Sequence, residues 1–107
     1  MKRFWYFILI LIVGTLLAGC SNTATANPND EVLKSAINLY LQKKQAGVDF
    51  KDGPCLGTIA PDWVLDIAHN PRQDIDDKPE NTCADFATGK AHHFIELDPN
   101  GELIKIY

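Results

Sequence analysis

A run of fourteen uncharged residues, Phe4 to Leu17, follows Met1-Lys2-Arg3 and sets the first limit on what this chain can fold into. A helix that spans a bilayer needs roughly twenty such residues. A shorter run behind a basic start has the form of the apolar region of a secretory signal. Small residues and a cysteine come next, Ala18-Gly19-Cys20. Residues 1–19 are therefore expected to be removed and to take no part in the fold. The 107-residue chain then has room for one small domain, not two. A hydrophobic share of 46% beside 22% charged residues excludes wholesale disorder. No period of roughly 20–50 residues repeats, which excludes a solenoid.

The four residues Leu17-Ala18-Gly19-Cys20 resemble the lipobox of bacterial lipoproteins. The resemblance covers the signal segment alone, with basic start, apolar run and box in that family's order and spacing. It implies that the Cys20 thiol receives a diacylglyceryl group and that a lipoprotein signal peptidase cuts between Gly19 and Cys20. The new amino terminus is then open to a further acyl chain. One acyl chain holds a protein at a membrane only marginally, whereas two or three hold it stably. The implied place is the cell envelope, on the extracytoplasmic side of a bacterial membrane. Ser21 stands where an aspartate would mark inner-membrane retention in a two-membrane envelope. The resemblance thus leaves passage to the outer membrane open.

Lys2 and Arg3 leave with the signal, so the remaining 88 residues hold eight basic and fourteen acidic side chains, a net charge of −6. Such a chain lacks the basic footprint that nucleic-acid binding needs. It is also repelled by anionic lipid, so covalent lipid is the expected anchor. Residues 20–29 comprise the lipidated Cys20 and a small, polar stretch, Ser21 to Asn29, that reads as a flexible tether. Nine residues reach roughly 30 Å at full extension. The domain, residues 30–107, is expected close to its membrane.

With Cys20 lipidated, Cys55 and Cys83 remain. In an exported chain a disulfide is the default for such a pair. It closes a 29-residue loop, for which chain entropy gives about 3.5 kcal/mol. A metal pair and free thiols are the alternatives. Neither cysteine has a second one nearby, so a zinc ribbon and a thioredoxin-type site lack support.

Asp30 to Ala46 reads as a helix. Val32, Leu33, Ala36, Ile37, Tyr40 and Leu41 form one stripe of a 3.6-residue period. Asn29 suits the N-cap and Gly47 the position after the end. Trp63 to Asn70 alternates as a strand does, with a helix from Pro61 as the competing reading. Asn70 to Lys90 is long, polar and irregular. Ala91 to Asp98, a turn at Pro99-Asn100-Gly101, and Glu102 to Tyr107 form a hairpin. A three-residue turn pairs Leu97 with Leu103 and Ile95 with Lys105. The favoured buried face is then Ala91, Ile95, Leu97, Leu103 and Tyr107. The expected fold is α+β: one N-terminal helix packed on a small three- or four-stranded antiparallel sheet, with one disulfide.

Nothing in the chain calls for a cofactor, and no catalytic motif stands out. No hydroxyl lies in a GxSxG or SxxK motif, and no phosphate-binding glycine loop is present. His69 and His93 are weak metal candidates: antiparallel pairing would bring them to one end of the sheet, with Asp66 or Asp85 as a third ligand. His92 and His93, adjacent in a strand, are expected on opposite faces. The run Asp74 to Asp77 with Glu80 lacks the spacing of a calcium loop. The candidate binding surface is the loop 70–82, with Asn70, Arg72, Asp76, Asp77, Glu80 and Asn81. A disulfide beside it would lower the entropy cost of binding. Its rival reading is structural, with Arg72 paired to its own Asp74 or Asp76. The expected role is a small binding or envelope-interaction module with an envelope protein partner. A His-based metal domain and a small envelope enzyme are the alternatives.

Overall fold

A computed structural model describes Gly19 and residues 25–107. Cys20 with the lipidation expected there, the rest of the expected signal segment and the first part of the expected tether lie outside the described residues. No described helix is long and apolar enough to cross a membrane.

Helix α1 spans Pro28–Gln45. It starts two residues earlier than expected, because Asn27 rather than Asn29 is the N-cap. The Asn27 side chain accepts the N–H of Asn29 at 3.1 Å. Pro28 fits the first turn because that position has no helical acceptor for an N–H. Asp30 and Glu31 sit in the first turn and Lys43 and Lys44 in the last, each where the helix dipole favours its charge. The helix stops at Gly47, which takes a φ of 82°. Its N–H bonds the Lys44 carbonyl and the N–H of Val48 bonds that of Lys43. Ala36 and Tyr40 form the buried stripe, with Leu33 and Leu39 beside them. Ile37 and Leu41 stay 42% and 46% exposed, so the helix is rolled away from the expected stripe.

Four strands follow: β1 Cys55–Ala60, β2 Trp63–Ile67, β3 His93–Leu97 and β4 Leu103–Ile106, in the order β1-β2-β3-β4. The α+β class is as expected, and so is the helix packed on the sheet. The antiparallel expectation needs correction, because β2 and β3 run parallel while the outer pairs are antiparallel. Parallel neighbours require a connection of a dozen residues or more, and residues 68–92 supply it. Within this crossover lie a 3-10 turn, Asp74–Asp77, and a short helix α2, Ala84–Ala87. The stretch read as irregular polar loop is thus the part that sets strand direction.

One buried carboxylate holds the start of the crossover. Asp76 is fully buried and accepts the backbone N–H groups of His69 at 3.0 Å and Gln73 at 2.9 Å. Its second oxygen lies 2.8 Å from His69 Nδ1. Gly53 passes directly over it with a φ of 68°, and a Cβ there would collide with the Asp76 carboxylate and the Ile67 carbonyl. Further along, the Cys55–Cys83 disulfide ties the crossover to the start of β1, as expected.

Alternating strand residues divide between two layers. Leu65, Ile67, Ile95 and Leu97 face α1 and are essentially inaccessible to solvent. Val64 and Phe94 face the other way, against Cys83 and Phe86 of the crossover. The expected hairpin face also needs correction. Leu97 does pair with Leu103, but Ile95 pairs with Ile106 and Glu96 with Lys105. One extra residue in β4 forms a bulge, and an extra residue reverses the alternation beyond it. Ile106 therefore packs on the α1 side, while Tyr107 exchanges backbone hydrogen bonds with Phe94. Leu103 and Tyr107 remain 47% and 59% exposed.

Two outcomes are expected from denaturant unfolding. Replacing both Cys55 and Cys83 by alanine should cost about 2–5 kcal/mol. Asp76→Ala should cost on the order of 3 kcal/mol, since it strands buried donors that a carboxylate now satisfies. An Asp76→Ala loss below about 1 kcal/mol would contradict this account of the crossover.

Candidate ligand groove

The sheet face opposite α1 carries two cross-strand rows. Asp66, Glu96 and Lys105 are direct neighbours on β2, β3 and β4. Val64 and Phe94 pair in the next row, with Tyr107 beside Phe94. Helix α2 and the disulfide cover one side of this face only. A groove of about 520 Å³ results, with Thr82, Cys83, Phe86 and Ala87 as its wall. That volume is within the usual range for small-molecule sites. Phe86 meets Phe94 edge-on at 4.9 Å, and Phe94 stacks on Tyr107 at 5.3 Å.

Arg72 reaches the groove from the crossover. Its Nη1 donates to Glu96 Oε2 at 3.0 Å and its Nε to Asp77 Oδ1 at 2.9 Å. The structural reading of Arg72 named Asp74 or Asp76 as partners; the partners are Asp77 and Glu96 instead. Lys105 has its ammonium over the rings of Phe94 and Tyr107, 5.6 and 5.2 Å from their centroids. Asp66 is the exception among these charges. Its Oδ1 is buried and has no hydrogen-bond partner among the described residues. Burial, with the Glu96 charge adding to it and Arg72 partly offsetting both, pushes the Asp66 carboxyl from 3.8 up to about 7.

The loop residues singled out from sequence are divided by this geometry. Arg72 borders the groove and Asp77 holds it. Asp76 and Asn81 are buried and serve the crossover itself, Asn81 by donating from Nδ2 to the Ile75 carbonyl at 2.9 Å. Asn70 and Glu80 are exposed and border no part of the groove. Phe86, Phe94, Glu96 and Lys105 were not read as site residues, and Asp66 was named only as a possible metal ligand. The alternation of Phe94 and Glu96 with buried Ile95 was the available signal for a second sheet face.

His69 does not join the other two histidines. Because β2 and β3 are parallel, His69 follows the end of one strand and His93 opens the other, so they stand at opposite ends of the sheet. This corrects the expectation that antiparallel pairing would join them. His69 is bonded to Asp76. β3 begins only at His93, so His92 is free of the strand's alternation and both rings approach Asp62. The nitrogen–oxygen distances are 2.6 Å for His92 and 3.7 Å for His93. The His92 hydrogen bond holds the Asp62 carboxyl below its ordinary range. Among the described residues no three His, Cys, Asp or Glu side chains form a metal-ligand set.

Comparison with protein-family models, with curated proteins and with solved structures finds no match to this chain.

Asp76 and Asp66 give opposite pH dependences. Burial alone would raise the pKa of Asp76, but hydrogen bonds from Gln73 and His69 hold it below the ordinary 3.8. Its stabilisation is present above that value and is lost as pH falls further. Asp66 does the reverse: between 3.8 and about 7 the folded chain keeps a proton that the unfolded chain has released. Stability from this group therefore falls as pH rises across that window. Urea unfolding should show a higher midpoint at pH 5 than at pH 8, and Asp66→Asn should remove most of the difference. An unchanged difference in that variant would mean that Asp66 is not the titrating group.

Proposed function

We propose that this chain is a lipid-anchored binding module of a bacterial cell envelope. The anchor reading is supported by the ordered succession of Lys2-Arg3, the uncharged run to Leu17, and Leu17-Ala18-Gly19-Cys20. Helix α1 begins at Pro28, eight residues after Cys20, which leaves only a short tether between lipid and domain. The binding reading is carried by one observation: the groove on the open sheet face, where the Phe86 and Phe94 rings stand beside Asp66, Arg72, Glu96 and Lys105. The groove sets charged and aromatic side chains together in an open concavity of small-molecule size. The surface assigned to binding thus moves from the loop 70–82 to the groove that Arg72 borders.

Metabolic labelling with a fatty acid tests the anchor. The wild-type chain should take up the label and sediment with membranes. Cys20→Ser should lose the label and either leave the membrane fraction or persist as an uncut precursor. Normal labelling and processing of Cys20→Ser would end the lipoprotein reading.

A further inference from the structure

We propose that helix α1 lies against the bilayer that carries the lipid anchor, with Ile37 and Leu41 seated in the lipid interface and the crossover side of the sheet turned away from it. This rests on the lipoprotein reading of Cys20 and names the face of the domain that meets the lipid.

The helix leaves apolar side chains without cover. Among the described residues five large hydrophobic side chains are exposed, and three of them, Ile37, Leu41 and Val48, lie on α1 or shortly after it. Ile37 and Leu41 are one turn apart, so their side chains are neighbours on the helix surface. Lys34 and Lys44 stand three residues to either side of this pair, and both are exposed. A lysine stem lies along apolar surface while its ammonium stays in water, as a position among headgroup phosphates requires. Lys34 meets Glu31 at 3.4 Å, an exposed pair of the kind that holds its partners weakly.

Charge is divided in the same sense. Helix α1 holds three lysines against two carboxylates, Asp30 and Glu31. Residues 46–107 hold five basic against twelve acidic side chains. The crossover, on the sheet face opposite α1, exposes Asp74, Asp77, Glu80 and Asp85 beside Arg72, Lys78 and Lys90. Anionic headgroups therefore repel the body of the domain and leave α1 as its least repelled face.

The tether decides which surface covers the stripe. Seven residues separate Cys20 from Pro28, the first residue of α1. Fully extended they span about 25 Å, close to the length of α1 itself, about 27 Å. The first element the tether reaches is thus the one with the uncovered stripe. Two half-exposed side chains would not hold a free acidic domain on a bilayer. A short link presents the two surfaces to each other at an effective concentration in the millimolar range, where so weak a contact is populated.

The test places the full lipidated chain in lipid nanodiscs, one copy in each, of three parts phosphatidylethanolamine to one part phosphatidylglycerol. A gadolinium chelate is carried on a fraction of the headgroups. Amide relaxation is compared between Ile37, Leu41 and Gln45 on α1 and Arg72, Asp77 and Phe86 on the crossover. Packed layers lie about 10 Å apart, so the two sets differ in depth and the steep distance dependence of the gadolinium effect should make the α1 amides relax at least about fivefold faster. Replacing Ile37 and Leu41 together by glutamine should bring the two sets close to equality. The wild-type ratio needs no variant, so a folding defect in the double variant leaves the test intact. Equal relaxation in the wild-type chain, or faster relaxation of the crossover, overturns the docked helix while the anchor reading stands. Shifts of the α1 amides that arise only with two copies in a nanodisc also overturn it, because a second copy then covers the stripe. If intact mass shows no lipid on Cys20 before reconstitution, both readings fall.

Discussion

A carboxylate with no contact with solvent, Asp76, is the constraint on which the rest of this fold depends. An isolated charge in that position would be prohibitive. It is tolerated because the chain wraps it with donors: two backbone N–H groups from His69 and Gln73 and the His69 ring. Each hydrogen bond to a charged group contributes roughly 1.5–3 kcal/mol, comparable together with the disulfide. The arrangement turns the chain as it leaves β2 and requires Gly53 above it, where any Cβ would collide. From that turn the crossover runs back along the sheet, and β3 enters parallel to β2.

The groove is a by-product of the same path. A meander would have left one sheet face to α1 and the other to water. The crossover instead lays Cys83 and Phe86 over part of the second face, and the disulfide holds them there. Coverage is incomplete because α2 is a single turn, four residues long. Asp66, partly buried at the edge of that cover, has one oxygen sealed and unpartnered, and burial together with the Glu96 charge raises its pKa. Arg72 reaches Glu96 from the same crossover, so its charge is committed to the groove floor. Fold stability and groove chemistry thus share residues.

Local signals were legible in the sequence where local physics decides. Helix α1 follows from its apolar period and its end at Gly47, and the β3–β4 hairpin from Asp98-Pro99-Asn100-Gly101. Gly101 does more than a turn requires. It takes a φ of 87° and lies against the Tyr40 ring, and the Tyr40 hydroxyl donates to the Pro99 carbonyl. The pairing of Cys55 with Cys83 also followed, by export logic, from the count of cysteines. Which helix residues are buried did not, because Leu39 and Ile37 are alike in hydrophobicity and the docking angle on the sheet chose between them.

Composition and pattern by themselves determined the class of the domain, its helix, its hairpin and its cross-link, because each depends on neighbours in the chain or on a single pair. Strand direction, the β4 bulge and the groove were decided only in three dimensions. A polar stretch of twenty residues reads alike whether it returns as a loop or crosses over, since the difference is the burial of Asp76. The β4 bulge sets the hairpin register, and in that register Ile106 packs, partly buried, against the core under α1. Asp66 looks like any solvated carboxylate in the sequence. Its character comes from Glu96 beside it on a neighbouring strand and from the partial cover above, contacts between residues some thirty positions apart.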